Sequence, residues 1–491
     1  MPLADTEPSP SRALRAEAGA VALSEPPSVP APAGSPGTSP VSPAVRRLAF
    51  SWVDEASFTR TALGSTTADR ADGIRPADPA DLLGNRPRRS PWRAGVLVPI
   101  AIILFLFGGY AATTLLWPLT AVTPTIQAVQ VDAIPSAVTT PAWPAEGSGA
   151  VAVAGIGDVV GSTQDAAPIA SITKVVTALL VLDEMPLAKG EQGPEFRFTS
   201  SDRAAYWGYR SRGESSLDVP AGGSLTEYQM LEGMLIGSAN NYADRLASTL
   251  WPTDAVYASA ANTWLKAHGL PGITVAEPTG FNTRNTASAA ALIPLAQKAL
   301  ANPVIAEIVA KAGVDLPGAG HVENTNELLA DPGVIGVKTG SLDDFNLLAA
   351  KDVTVGDTPV RLYASVLGQP DDAARFEATR ALFAQLESEL QVEPSVPVGT
   401  KVGTVETAWG ERADVVTDAD ASVVLWNGAA GTVESDLELG DHRDAGDTVG
   451  SLSVAGPLNR ATVDVSLSDD IEPPTAWWRL THPLELFGLA G

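Results

Sequence analysis

The 491-residue chain has no cysteine and only four histidines. The missing thiols exclude disulfide staples, cysteine nucleophiles and thiolate zinc sites. His268, His321, His442 and His482 form no pair at metal-ligand spacing, so no histidine metal site is expected. Basic residues are scarce as well. The chain carries 32 Lys/Arg against 57 Asp/Glu, a net charge of −25, which argues against nucleic acid as a partner. The imbalance is local. Residues 1–93 hold 11 Lys/Arg and 10 Asp/Glu, residues 94–117 hold neither, and the remainder holds 21 and 47. The acidity therefore belongs entirely to the part after residue 117.

What is present first is a long Pro-, Ser- and Ala-rich stretch, residues 1–93, with little apolar periodicity. It cannot bury enough surface to offset its ordering entropy and reads as a disordered tail. Its one apolar island, Leu48-Ala49-Phe50-Ser51-Trp52-Val53, can be read as a docking motif for a cytosolic partner or as chance clustering. Residues 94–117 follow, uncharged and mostly apolar. At about 1.5 Å per residue such a helix crosses a bilayer core of about 30 Å. Arg86, Arg88, Arg89 and Arg93 precede it, and no Lys or Arg follows until Lys174. Basic flanks mark the cytoplasmic side, so the expectation is an uncleaved signal-anchor with the tail inside and the acidic bulk outside.

Beyond a linker at 118–149, Ala150–Ala154 reads as a first strand, and Val175–Leu182 as a buried helix entered through Ser171 and Thr173. Residues 190–224 read as loop-rich. Within them Ala204–Arg212 gathers aromatics and arginines that either line a cleft or cover the surface. Thr226–Ile236 and Tyr242–Ala247 have helical patterns, separated by Gly237-Ser238-Ala239-Asn240-Asn241. Helical patterns at 253–269 and 286–313 flank the turn Glu277-Pro278-Thr279-Gly280-Phe281-Asn282. Gly333–Ser341, Asn346–Ala350 and Val360–Leu367 read as strands, and Asp371–Leu390 as a helix. After Pro394 the texture changes to short alternating strands at Val402–Val405, Ala413–Val416, Ser422–Trp426, Thr448–Leu452 and Ala461–Val465, a small all-β domain. The expected domains are thus a tail at 1–93, a transmembrane anchor at 94–117, a linker at 118–149, a catalytic domain at 150–390, a β-domain at 395–475 and a Trp-containing tail at 476–491.

The chemistry rests on spacing. Ser171 and Lys174 are three residues apart, so on a helix they share a face. A serine hydroxyl becomes a nucleophile when a base takes its proton. A lysine serves as that base if burial and a second cation lower its pKa from about 10.4. Two more motifs follow in order, Ser238-Ala239-Asn240 between helices and Lys338-Thr339-Gly340 closing a strand. S-x-x-K, S-x-N and K-T-G in this order resemble the serine D-alanyl-D-alanine carboxypeptidase family, the low-molecular-mass penicillin-binding proteins. Met234–Asn241, Glu277–Phe281 and Asn324–Leu329 resemble further segments of that family, from about Val151 to Leu390. The β-domain resembles its C-terminal domain more loosely.

The resemblance implies an α+β fold of the penicillin-binding-protein/β-lactamase-like transpeptidase type, an antiparallel sheet flanked by helices plus an all-helical lobe, with a small β-domain behind it. It implies Ser171 as nucleophile, Lys174 as base, and Ser238 with Asn240 relaying a proton. Lys338 and Thr339 would dock the substrate carboxylate, and Gly340 and Ser341 would complete the wall, with backbone N–H groups of Ser171 and Ser341 as the oxyanion hole. Lys338 would supply the second cation that keeps Lys174 neutral. The implied partners are peptidoglycan stem peptides and, as covalent inhibitors, β-lactam antibiotics; no cofactor or metal is required. A β-lactamase shares the motifs, but no E-x-x-L-N segment lies between Asn240 and Lys338. A catalytically silent wall-binding scaffold is the third reading. One departure is local: Ser341-Leu342-Asp343-Asp344-Phe345-Asn346 replaces the Thr and Ala-Gly pair usual after this K-T-G motif.

Overall fold

The structure is a computed structural model that describes residues 94–390 and 393–490. The tail at 1–93, with its Leu48–Val53 island, lies outside the described residues.

The uncharged stretch forms one 23-residue helix, α1 (Ala94–Leu116), with Pro99 in its first turns, and the sides of Ile102–Phe107 are exposed. The apolar run after Ser171 forms α2 (Thr173–Glu184). Val175, Val176, Ala178, Leu180 and Val181 are all buried, so α2 is packed on every side, as an all-round apolar helix must be. Ser171 lies just before it, on the 3₁₀ turn Ala170–Ile172 rather than in its first α-turn. Residues 190–224 are not all loop: α3 (Ser200–Ser211) takes up the aromatic and arginine stretch, started by a reciprocal Thr199/Asp202 capping box. The helical lobe continues through α4 (Glu227–Leu235), α5 (Asn240–Leu250) and α6 (Asp254–Ala267). The pattern at 286–313 divides into α7 (Ala289–Ala301) and α8 (Pro303–Val309), because Asn302 stops the first and its side chain caps the second.

Five strands form one antiparallel sheet in the order Val334–Ser341, Phe345–Val355, Thr358–Gln369, Ser148–Val153, Ile156–Gly161. Side chains alternate across it. Ala150, Ala152, Leu348 and Ala350 join the core shared with α2, α4, α5 and α7. Val151, Val153, Leu347 and Ala349 face the opposite way, against Phe376, Phe383 and Leu386 of α9 (Asp372–Glu389). The strand that carries Lys338 is an edge of this sheet, beside the helical lobe.

The β-domain is a six-stranded sheet, and its details depart from the sequence pattern. Ser422–Trp426 makes no strand, whereas Thr432–Leu437 does. The expected linker is tied in: Thr125–Ala128 adds an edge strand against Lys401–Glu406. The chain then returns to α1. In α10 (Ala476–Thr481), the Arg479 Nη1 donates to the carbonyls of Leu115 and Trp117 at 3.3 and 2.8 Å, and Tyr110 donates to Leu480 O at 2.7 Å. Trp117 meets Phe487 edge to face. The Trp-containing tail thus caps the end of α1.

One buried carboxylate stands without a partner among the described residues. Glu227, the first residue of α4, is fully buried and neither carboxylate oxygen has a hydrogen-bond partner among the described residues. Burial pushes its pKa from 4.5 up to about 7. The folded chain therefore holds this proton more tightly than the unfolded one, so the stability it confers is present below pH 4.5 and lost as pH rises through 7. Glu227→Gln is expected to raise stability by about 3 kcal/mol at pH 8 and by far less at pH 4. Thermal melts of both proteins at the two pH values check this; a pH-independent difference would refute the assignment.

Candidate active site

The entry to α2 is gripped between two glycines. Gly280 has φ +84°, and a Cβ there would fall 1.9 Å from the Ala170 carbonyl oxygen. At Gly340 a Cβ would fall 2.7 Å from Ile169 O and 3.2 Å from Ser171 N. No side chain fits at either position, so the backbone of both flanking segments approaches the serine directly. Ala170 and Ser238 are held at φ +49° and +56°, conformations that non-glycine residues adopt only when their surroundings enforce them.

Lys174 is fully buried. Its Nζ donates to Ser171 Oγ at 2.8 Å and to the Thr279 carbonyl at 2.6 Å. The turn that carries Thr279 is organised by Glu277, whose carboxylate accepts from Thr279 N, Thr279 Oγ1, Gly280 N and Asn282 N at 2.6–3.1 Å. Ser171 itself is half-buried, open on one side. Nucleophile and base are therefore in direct hydrogen-bond contact.

Burial lowers the Lys174 pKa from 10.5 to about 7, against the opposing pull of Glu277, Asp244 and Glu214. The expectation joined burial with a second cation at Lys338, and burial is the largest cause. Lys338 is also fully buried, and burial, then Lys174, then Arg375 hold its amine well below the usual range. The repulsion between the two amines acts on Lys338 as well as its burial. Reaction of Ser171 with an acylating reagent is expected to rise with pH through an inflection near 7 and to be about tenfold slower at pH 6 than at pH 8. A flat profile between pH 6 and 8 would show that Lys174 is not the titrating base.

The third motif ends the strand Val334–Ser341. The Lys338 Nζ is buried with no hydrogen-bond partner among the described residues. Thr339 Oγ1 meets Thr325 Oγ1 at 2.6 Å, which places the Asn324–Leu329 segment behind the motif. Gly340 and Ser341 are held by Arg375 of α9, whose Nη1 donates to Gly340 O, Ser341 Oγ and Asn346 O at 3.0–3.3 Å. Asp372 pairs with this arginine. The atypical Ser341–Asn346 run is a tight hairpin in which Leu342 N donates to Asp344 O. Its Asn346 ties back, donating to Pro168 O at 3.0 Å and accepting from Gly368 N at 2.8 Å.

The second motif joins α4 to α5. Ser238 lies in the connecting turn, and Asn240 opens α5, its backbone N–H donating to Ser215 O at 2.8 Å. The Asn240 side chain donates to Glu214 Oε2 at 2.7 Å. A cavity of about 600 Å³ adjoins the site, with Tyr209, Arg212, Glu214, Asp244, Glu277 and Thr279 in its wall. The Ala204–Arg212 stretch therefore divides: Tyr209 and Arg212 face the cavity, and Trp207 is 61 % exposed. Tyr209 donates to Asp244 at 2.5 Å. Glu214, Asp244 and Arg375 were not legible as site residues. Asp244 alone had a signal, standing four residues after Asn240 and hence on the same helical face.

Residues 159–369 match the family model described as D-alanyl-D-alanine carboxypeptidase. The match covers 211 of the 491 residues. Among curated relatives, the D-alanyl-D-alanine carboxypeptidase DacB2 of Mycobacterium tuberculosis is 32% identical over 180 residues, 35% of this chain and 57% of that protein. The D-alanyl-D-alanine carboxypeptidase DacF of Bacillus subtilis is 24% identical over 287 residues, 56% of this chain and 71% of that protein. The solved structure of penicillin-binding protein 5 from Haemophilus influenzae aligns with 68% of this chain and all of its own length, at 16% identity and a TM-score of 0.47. The match to DacB2 spans just over half of that relative. Within the matched segment lie all three motifs, Ser171 to Lys174, Ser238 to Asn240 and Lys338 to Gly340, with the Glu277 turn between them.

Proposed function

We propose that this chain is a membrane-anchored serine D-alanyl-D-alanine carboxypeptidase acting on peptidoglycan stem peptides and acylated by penicillins. The observation that carries the reading is the unpartnered, buried Lys338 Nζ on the strand packed against the Ser171–Lys174 pair. A buried amine without a partner is costly, and a ligand carboxylate would satisfy it and restore its charge. That demand suits a substrate cut next to its free C-terminus.

In this mechanism the Ser171 Oγ attacks the carbonyl between the two terminal D-alanines while Lys174 takes its proton. Backbone N–H groups of Ser171 and Ser341 hold the oxyanion, each typically worth about 2.7–4 kcal/mol. The C–N bond breaks, and the leaving amine receives a proton through Ser238, beside Asn240. Lys338 and Thr339 hold the departing carboxylate. Water then cleaves the ester and regenerates Ser171. Mass spectrometry of a pentapeptide ending in D-Ala-D-Ala is expected to show loss of one alanine. No loss, from protein whose Ser171 is labelled by a fluorescent penicillin, would reject the reading.

For location, α1 crosses the membrane with residues 1–93 in the cytoplasm and the acidic domains outside. The four arginines at 86–93 support that orientation. Protease added to intact cells should degrade the acidic domains and spare the tail; the reverse pattern would invert the topology.

A further inference from the structure

Glu214 belongs to none of the three motifs, yet it is 8% exposed and both its oxygens are engaged. Oε2 accepts from Asn240 Nδ2 at 2.7 Å, and Oε1 accepts from Arg212 Nε at 2.6 Å. An ionised carboxylate accepts hydrogen bonds and donates none. The terminal amide of Asn240, whose two ends are nearly the same size, can therefore sit only one way round: NH₂ toward Glu214, Oδ1 away from it. Among the described residues no hydrogen bond is made to that Oδ1. Asn240 is 3% exposed and fixed at the backbone by Ser215, so the rest of the residue has little freedom to compensate for a flip.

We propose that Glu214 is a positioning residue that sets the amide orientation of Asn240, and with it the groups the second motif presents to its ligand. The inference rests on the carboxypeptidase reading for the identity of that ligand. Arg212 is the lesser partner: its side chain is more than half exposed, and an ion pair in that setting contributes little. Glu214 is also one of three carboxylates, with Asp244 and Glu277, whose charge holds the proton on Lys174. Removing its charge should let Lys174 deprotonate at lower pH.

The test is a double-mutant cycle on the full chain: Glu214→Gln, Asn240→Ala and the pair, each assayed for pentapeptide turnover and for acylation by a fluorescent penicillin. In Glu214→Gln the amide of Asn240 is free to turn. The expected result is a loss of about tenfold in kcat/KM, the size of one mis-set hydrogen bond. The acid limb should move to lower pH, and the melting temperature should change by no more than a few degrees. In the Asn240→Ala background the same substitution should cost less than twofold, because a residue acting through Asn240 has nothing left to act on. An equal cost in both backgrounds, or wild-type kinetics in Glu214→Gln, overturns the proposal. Glu214→Asp, which keeps the charge but shortens the reach, should fall between the two and replaces Glu214→Gln if that variant fails to fold. If the wild type acylates with penicillin but leaves pentapeptide intact, the substrate reading fails while the cycle on acylation still decides the role of Glu214.

Discussion

Ser171→Ala is expected to abolish covalent capture of penicillin and loss of D-alanine from pentapeptide together, with a fall in turnover on the order of 10⁴–10⁶-fold. The structure gives the reasons for the size and the specificity of the effect. Ser171 Oγ is the hydroxyl hydrogen-bonded to Lys174 Nζ, on a turn that Gly280 and Gly340 approach by backbone alone. Deleting one half-buried oxygen leaves that turn in place. Lys174 loses one acceptor and keeps the other, Thr279 O. The melting temperature should therefore stay within a few degrees of wild type, which separates loss of chemistry from loss of fold. Intact-protein mass spectrometry after penicillin treatment is the decisive measurement. An adduct persisting in Ser171→Ala, for example on Ser238, would transfer the nucleophile's role elsewhere.

Lys174→Met should come close to this. General-base catalysis contributes about 10²–10⁴-fold, so acylation should slow by about 10³-fold. Methionine matches the length of lysine and fills the same buried space. The Thr279 carbonyl loses its donor, a cost of about 1–3 kcal/mol, partly offset because a buried amine is no longer desolvated. Lys174→Arg sharpens the test. A guanidinium keeps the charge but does not give up its proton in a protein. If Lys174 works as a base, arginine is no better than methionine. If it works by charge, arginine should retain a measurable fraction of the rate, and the base assignment fails.

The extent to which this site was legible in sequence follows from how locally each part is encoded. The Ser171–Lys174 pair depends on helical spacing, and the Lys338 strand on a short alternating run; both are local and both were legible. The helix break at Asn302 and the helix α3 were not, because each turns on one or two capping side chains inside an ambiguous stretch. Arg375 lies 35 positions after Gly340 and reaches it only because α9 packs on the far side of the sheet. Nothing near Arg375 in sequence announces that contact. Two lysines can be counted in a sequence, but that both are buried beside one another is set by packing.

The cap that Arg479 places on α1 also constrains motion. A free tether between residues 118 and 149 would let a domain wander by about 30 Å. Here its first part is a strand of the β-domain sheet, and the chain's far end is hydrogen-bonded to Leu115 and Trp117. The polypeptide closes on itself at the end of α1 like a handle fixed at both ends. Ser171 is then carried at a set stand-off from that point and sweeps a shell instead of a volume.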